Sequence, residues 1–450
     1  MHVERIALAS AEAAARALAG RPGLAWLDGD GSPTEGRFSY VASDPVEHCV
    51  RTLGDARPLE ALSGLGAGDE VTGEAPRAPR WIGYIAYDAA WAGPVGTQRD
   101  WTRKVPRIVR EGAAQVLRFA RYDAIVAIEH ECAEAWLIGD DAEACGRLRE
   151  RLSKGEPRAL DYAVRDVVAP PGAAHLAAVR SALEHIRAGD IYQVNLARRW
   201  TATLEGASRE GAALGLYLAM RRASAVPLGF FLDAGDHAVL ACTMERFLDW
   251  DGRTLITRPI KGTLARRGGD DAREAATLRA DPKEQAEHTM IVDLMRNDLG
   301  RVAKVGSVRV ERLLEVEPYA RLSHLVSTVT CGTREGTTLG EVLEATFPPG
   351  SVTGAPKARA MELIEELEPV PRGVYCGALG FVDRAGGVSL AVAIRTAVAR
   401  AGSVVYHAGG GLVVASDPER ELAETELKAR AFLDAVGDFS GSRGGAARTD

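Results

Sequence analysis

Paired cysteines are missing from this chain. Its six cysteines, at positions 49, 132, 145, 242, 331 and 376 of 450, include no C-x-x-C, which leaves no disulfide framework and suits reduced, mostly buried thiols in a cytoplasmic protein. An excess of positive charge is missing too. The formal net charge of -7 argues against general nucleic-acid binding and against an anionic membrane surface. No uninterrupted apolar run approaches transmembrane length. The first twenty residues, MHVERIALASAEAAARALAG, carry charges within them and read as an amphipathic helix rather than a signal peptide.

What is present is enough chain for two lobes or one large two-layer domain. Residues 1–169 mix strand-like runs, such as Trp81 to Tyr87 and Ala124 to Ile128, with Gly- and Pro-rich loops, which predicts a β-rich N-terminal lobe. Ala169-Pro-Pro-Gly172 is the expected link, followed by a helix from about Ala173 to Ala188 that Gly189 ends. From there to residue 436 strands alternate with amphipathic helices, often as hairpins such as Gly377 to Thr396. The expected class is α+β with antiparallel sheets. Residues 437–450 lack the apolar content to pack and are expected to be disordered.

Two helices carry most of the chemistry. DPKEQAEHTMIVDLMRNDLG opens on Asp281 and Pro282 and places Glu284 and Glu287 on its first turns. DPERELAETELKARAFLDAVG opens on Asp417 and Pro418 and places Glu421, Glu424 and Lys428 along one face; both openings are N-cap signals. Four carboxylates at two helix starts can hold Mg²⁺, which takes one or two carboxylates and completes its octahedron with water or substrate oxygens. Spacing alone favours capping glutamates and an i,i+4 ion pair over a metal site. Lys261, in Arg258-Pro-Ile-Lys-Gly-Thr263, has an apolar neighbour and a nearby cation, and both favour the neutral, nucleophilic amine. Arg395 lies in the apolar run Ala391 to Thr396, where a strand arginine needs an anionic partner. The Thr353 hydroxyl, before a helix start, can receive a carboxylate. Gly409, Gly410 and Gly411 form either a tight turn or a place where backbone approaches a ligand.

The order of these segments resembles the chorismate-binding enzymes. Ile191-Tyr-Gln-Val-Asn-Leu-Ala-Arg198, Arg258 to Thr263, Ala286 to Gly300, Gly350-Ser-Val-Thr-Gly-Ala-Pro-Lys357, Ala393-Ile-Arg-Thr396 and Gly409 to Gly411 carry the likeness densely over residues 175–436. In that family, the resemblance implies, Mg²⁺ grips the ring carboxylate of chorismate through Glu287 and Glu424, with Glu284 and Glu421 beside them. Tyr375, Arg395 and Gly409 to Gly411 match positions that hold the enolpyruvyl carboxylate, and Gly262 and Thr263 match positions that line the ring. Glu245 matches the general acid toward the C4 hydroxyl; His324 and Lys428 match further polar pocket positions.

Two positions separate the family's branches. Gln193 stands where isochorismate- and salicylate-forming members carry a water-activating lysine. Lys261 stands where anthranilate-forming members resemble Pro-Ile-Ala-Gly-Thr, and it marks the branch that forms 4-amino-4-deoxychorismate for 4-aminobenzoate and folate. The implied reaction is attack of the Lys261 amine at C2, departure of the C4 hydroxyl with help from Glu245, and ammonia adding at C4 to expel the lysine. Anthranilate formation with an unusual lysine, or a non-catalytic chorismate or tryptophan binder, are the alternatives. With no amidotransferase segment visible in the sequence, a separate glutamine amidotransferase subunit is the expected partner and source of ammonia.

Overall fold

The computed structural model describes residues 1–65, 77–92, 115–155, 160–224, 226–265, 276, 278–318 and 322–437. Among them two antiparallel sheets pack face to face, with helices on the outer side of the larger one, so the α+β expectation holds. The larger sheet has 12 strands and the smaller 10. Strands buried on both faces read as unbroken apolar runs. In Leu228–Asp233, Phe230 and Leu232 face the layer between the sheets, while Phe231 faces the helices. His237–Thr243 repeats this, with Val239 and Ala241 inward and Ala238, Leu240 and Cys242 outward.

Both sheets draw strands from both sides of residue 170, where the expected link stands. Trp26 pairs with Phe231 in the larger sheet, and Gly83 pairs with Gly380 in the smaller. The N-terminus departs from the expected single helix. His2–Ile6 is a strand on Glu134–Gly139, and a helix begins only at Ala11, where the Ser10 hydroxyl accepts from the Ala13 amide at 3.1 Å. The reason is the alternating exposure of residues 2 to 6, which has the period of a strand. The helix Gly172–Ala188, stopped by Gly189 at φ 81°, agrees with the sequence. The expected disorder over 437–450 falls almost entirely outside the described residues. Five of the six cysteines are buried and Cys132 is exposed. Among the described residues no helix is long and apolar enough to cross a membrane.

Candidate active site

Two of the short links that carry the chain between the sheets each hold a candidate residue. Thr243 ends a strand of the larger sheet and Arg246 begins one of the smaller, with Met244 and Glu245 between them. Val392 ends a strand of the smaller sheet and Thr396 begins one of the larger, with Arg395 in the return link. The links are tied together by backbone: the Val392 amide donates to Glu245 O at 2.9 Å and the Cys242 amide to Arg395 O at 3.1 Å. Arg395 is therefore not a strand arginine, and the hairpin expected from Gly377 to Thr396 closes at Val392. Arg395 sits at φ 49°, an uncommon left-handed conformation for a residue with a side chain, and no carboxylate is paired with it among the described residues.

Glu245 is buried, and burial pushes its carboxyl up to about 7 against the opposing pull of the Ser351 hydrogen bond, the Lys261 charge and the Ile260 amide. Near neutral pH it is divided between its protonated and ionised forms, so it can donate a proton. Lys261 lies on the strand Ile260–Ala265, and its Nζ donates to the Ser351 carbonyl at 3.5 Å. A Cβ on Gly411 would stand 3.6 Å from that amine and 2.5 Å from Gln193 Nε2. The glycine thus keeps the space beside the lysine open. Arg258, the cation near Lys261 in sequence, is turned away and neutralised: it is paired with Glu35 at 2.5 Å and with Glu317. The nearby-cation argument for a neutral amine is thereby overturned.

The triglycine is not a turn. Gly409, Gly410 and Gly411 lie inside the strand Ser403–Leu412, opposite Ala197, Leu196 and Asn195. A Cβ at Gly410 would stand 3.1 Å from Glu421 Oε2 and 3.6 Å from Glu424 Oε1. Glu421 also accepts from Ser416 Oγ at 2.6 Å. Lys428 bridges Glu424 at 2.6 Å and the Gly409 carbonyl at 3.0 Å. The other carboxylates come from the helix Pro282–Gly300, whose Glu284 amide is capped by Asp281 at 3.2 Å. Gly262 marks a shift of strand register at φ 65°, and a Cβ there would meet Glu284 Oε2 at 3.2 Å; Glu287 is buried one turn on. Among the described residues no three acidic, histidine or cysteine side chains converge as a metal cluster. Carboxylates are the hard donors Mg²⁺ takes, and those of Glu284, Glu421 and Glu424 face space that Gly262 and Gly410 keep open.

His324 is buried, and its Nδ1 lies 3.0 Å from the Gly262 carbonyl. A carbonyl only accepts, so Nδ1 carries the proton, and burial lowers the ring to about 4 and keeps it neutral. Thr263 pairs with His324 in register; its side chain lies outside the described residues. Tyr375 is buried with its ring stacked on His407 at 5.2 Å. Thr353 is placed differently from expectation: its hydroxyl bonds its own loop, at Pro349 O and Gly350 O, 3.1 and 3.2 Å away. Ser351, which touches both Glu245 and Lys261, was legible only as part of the Gly350 to Lys357 motif. Glu35, the partner of Arg258, has no sequence signal at all, being more than two hundred residues away.

The sequence profile described as chorismate binding enzyme matches residues 25–434. Aminodeoxychorismate synthase component 1 of Escherichia coli (strain K12) is 43% identical over 256 residues, covering 56% of this chain and 55% of that protein. Anthranilate synthase component 1 of Streptomyces coelicolor is 37% identical over 436 residues, covering 89% of this chain and 81% of that protein. Among solved structures, anthranilate synthase component I from Streptococcus pneumoniae TIGR4 superposes with a TM-score of 0.74 at 28% identity, covering 89% of this chain and 92% of that one.

Proposed function

Because the chain belongs to the chorismate-binding enzymes, we propose that it converts chorismate and ammonia to 4-amino-4-deoxychorismate with Lys261 as nucleophile. One observation carries this reading: the Lys261 amine and the protonated Glu245 carboxyl meet at Ser351, beside the space that Gly411 keeps open. The Lys261 amine adds at C2 as the C4 hydroxyl leaves with the proton of Glu245, so the poor leaving group departs as water. Ammonia then adds at C4 and expels the lysine nitrogen, and the proton it sheds restores Glu245. Arg395 and the Gly409 to Gly411 backbone, with Tyr375, receive the enolpyruvyl carboxylate. Glu287 and Glu424 would hold Mg²⁺, with Glu284 and Glu421 beside them. Bound there, the ion would supply positive charge toward the ring carboxylate.

The ammonia would come from a glutamine amidotransferase subunit, in keeping with the component 1 name of the relatives. A second reading, anthranilate formation, is favoured by the Streptomyces coelicolor relative, which matches more of this chain than the Escherichia coli protein does. Product analysis by chromatography with mass detection separates the two, using the chain with chorismate, Mg²⁺ and ammonium. Aminodeoxychorismate without pyruvate bears out the lysine mechanism. Anthranilate with pyruvate overturns it.

A further inference from the structure

Behind the site lies a buried ion pair that is bonded to the backbone next to several of the proposed substrate positions. Arg372 and Glu368 are both less than one-tenth exposed. Their contact is a two-point fork, with Nε to Oε2 at 3.0 Å and Nη2 to Oε1 at 2.6 Å. The remaining guanidinium donors reach two other segments: Nη1 donates to Val352 O and Nη2 to Asn195 O, each at 2.8 Å. Glu368 Oε1 also accepts the Ala197 amide at 2.8 Å. The guanidinium carbon lies 4.8 Å from the Tyr87 ring centre and 5.9 Å from that of Tyr375.

These bonds stand in for a missing neighbour. The strand Gln193–Glu205 carries the triglycine strand on one edge. On its other edge it pairs with Gly354–Ala355 at residues 193 and 194, and with Ala163–Val168 from Thr201 onward. Between those stretches the outer edge is completed by the Thr353 carbonyl, which accepts the Asn195 amide at 2.8 Å, and then by Arg372 and Glu368. Asn195 and Ala197 are the register partners of Gly411 and Gly409. Glycine in a strand has no side chain to pack and more backbone freedom than any other residue, so the line of these glycines is set by the strand beside them. The same guanidinium fixes Val352, next to the serine that joins Lys261 to Glu245.

A buried ion pair is a weak source of stability, since desolvation offsets most of its attraction and an apolar pair of similar size often folds as well or better. Its geometric precision is what an apolar pair lacks. We propose that Glu368 and Arg372 form the positioning unit of this site, setting the Gly409 to Gly411 backbone, the Tyr375 ring and the Ser351 loop at once. This rests on the reading that those groups receive a carboxylate of the substrate.

The test uses the full chain in the ammonium-dependent reaction, measuring KM for chorismate and kcat separately together with the melting midpoint. Arg372→Met with Glu368→Leu removes both charges and keeps the volume, so it is expected to stay folded. It should raise KM about tenfold or more, a loss on the order of one well-placed hydrogen-bonded contact to a charged group. Arg372→Lys, which keeps the charge and loses the fork, should raise KM as well; a normal KM there overturns the geometric claim. Arg395→Ala is the control for the reading of the site. A KM within about twofold of the parent in the double variant, a difference of less than one hydrogen bond, overturns the positioning role, however Arg395→Ala behaves. If the double variant raises KM while Arg395→Ala does not, the carboxylate reading falls and the positioning role stands.

Discussion

Replacing Glu245 by glutamine tests the acid and its environment together. Burial lifts this carboxyl from 4.5 to about 7, so the folded protein binds a proton there that the unfolded chain has released. The sign follows from linkage: the proton stabilises the fold fully below about pH 4.5, the benefit declines as pH rises, and it is lost above about 7. Between pH 5 and pH 8 the decline amounts to roughly 2–3 kcal/mol. Glutamine cannot titrate, so the variant lacks this contribution while keeping every other one, including that of Asp88, whose buried carboxyl is also raised to about 7. Urea unfolding of both proteins at several pH values should therefore show the parent losing stability relative to Glu245→Gln as pH rises. Activity should change in parallel, kcat falling about 10²–10⁴-fold, as for loss of a general acid, and the decline of parent activity above about pH 7 disappearing from the residual rate. A stability difference that stays flat from about pH 5 to about pH 8 would refute the protonated, buried acid.

The remaining expectations concern the other arms of the site. Lys261→Ala should abolish aminodeoxychorismate formation at saturating ammonium, as followed by mass detection of product; undiminished turnover would remove the covalent role. Gly410→Ala puts a methyl group 3.1 Å from Glu421 Oε2 and 3.6 Å from Glu424 Oε1, and should raise the Mg²⁺ concentration needed for half-maximal rate. Glu287→Gln should abolish Mg²⁺ dependence together with activity, so an unchanged Mg²⁺ titration contradicts the ligand assignment. Gly83→Ala drives a methyl group into the Arg118 carbonyl oxygen of the neighbouring strand, on the edge opposite the one that pairs with Gly380; soluble yield and melting midpoint should both fall.

Local signals carried well into the structure. Asp-Pro at 281–282 and 417–418 marks two helices because the carboxylate caps and the proline suits a first turn, and both helices start there. Gly189 ends its helix in the left-handed conformation that only glycine adopts without strain. What depended on distant partners did not carry. Arg395 sits among apolar residues, as a strand arginine would, and the change of sheet at Val392 depends on the strands His237–Thr243 and Arg246–Trp250, far away in sequence. The His407 to Gly411 run has the composition of a turn and becomes a strand because Gln193–Glu205 lies beside it. Arg258 has a neighbour in sequence, Lys261, and a different neighbour in space, Glu35. Arg372 and Glu368 read as ordinary charges near a helix end until the strand edge they complete is seen.

The interleaving of the sheets also fixes when the site can exist. Strand Gln193–Glu205 waits for Ser403–Leu412, and the strand holding Gly83 waits for the one holding Gly380. During synthesis the ribosome must release nearly the whole chain before either gap is filled, and pairings of such long sequence separation form slowly. A nascent or truncated chain would hold unpaired edges and no substrate site, exposed to aggregation in the interval. Ligand binding in this fold is a late event, acquired all at once.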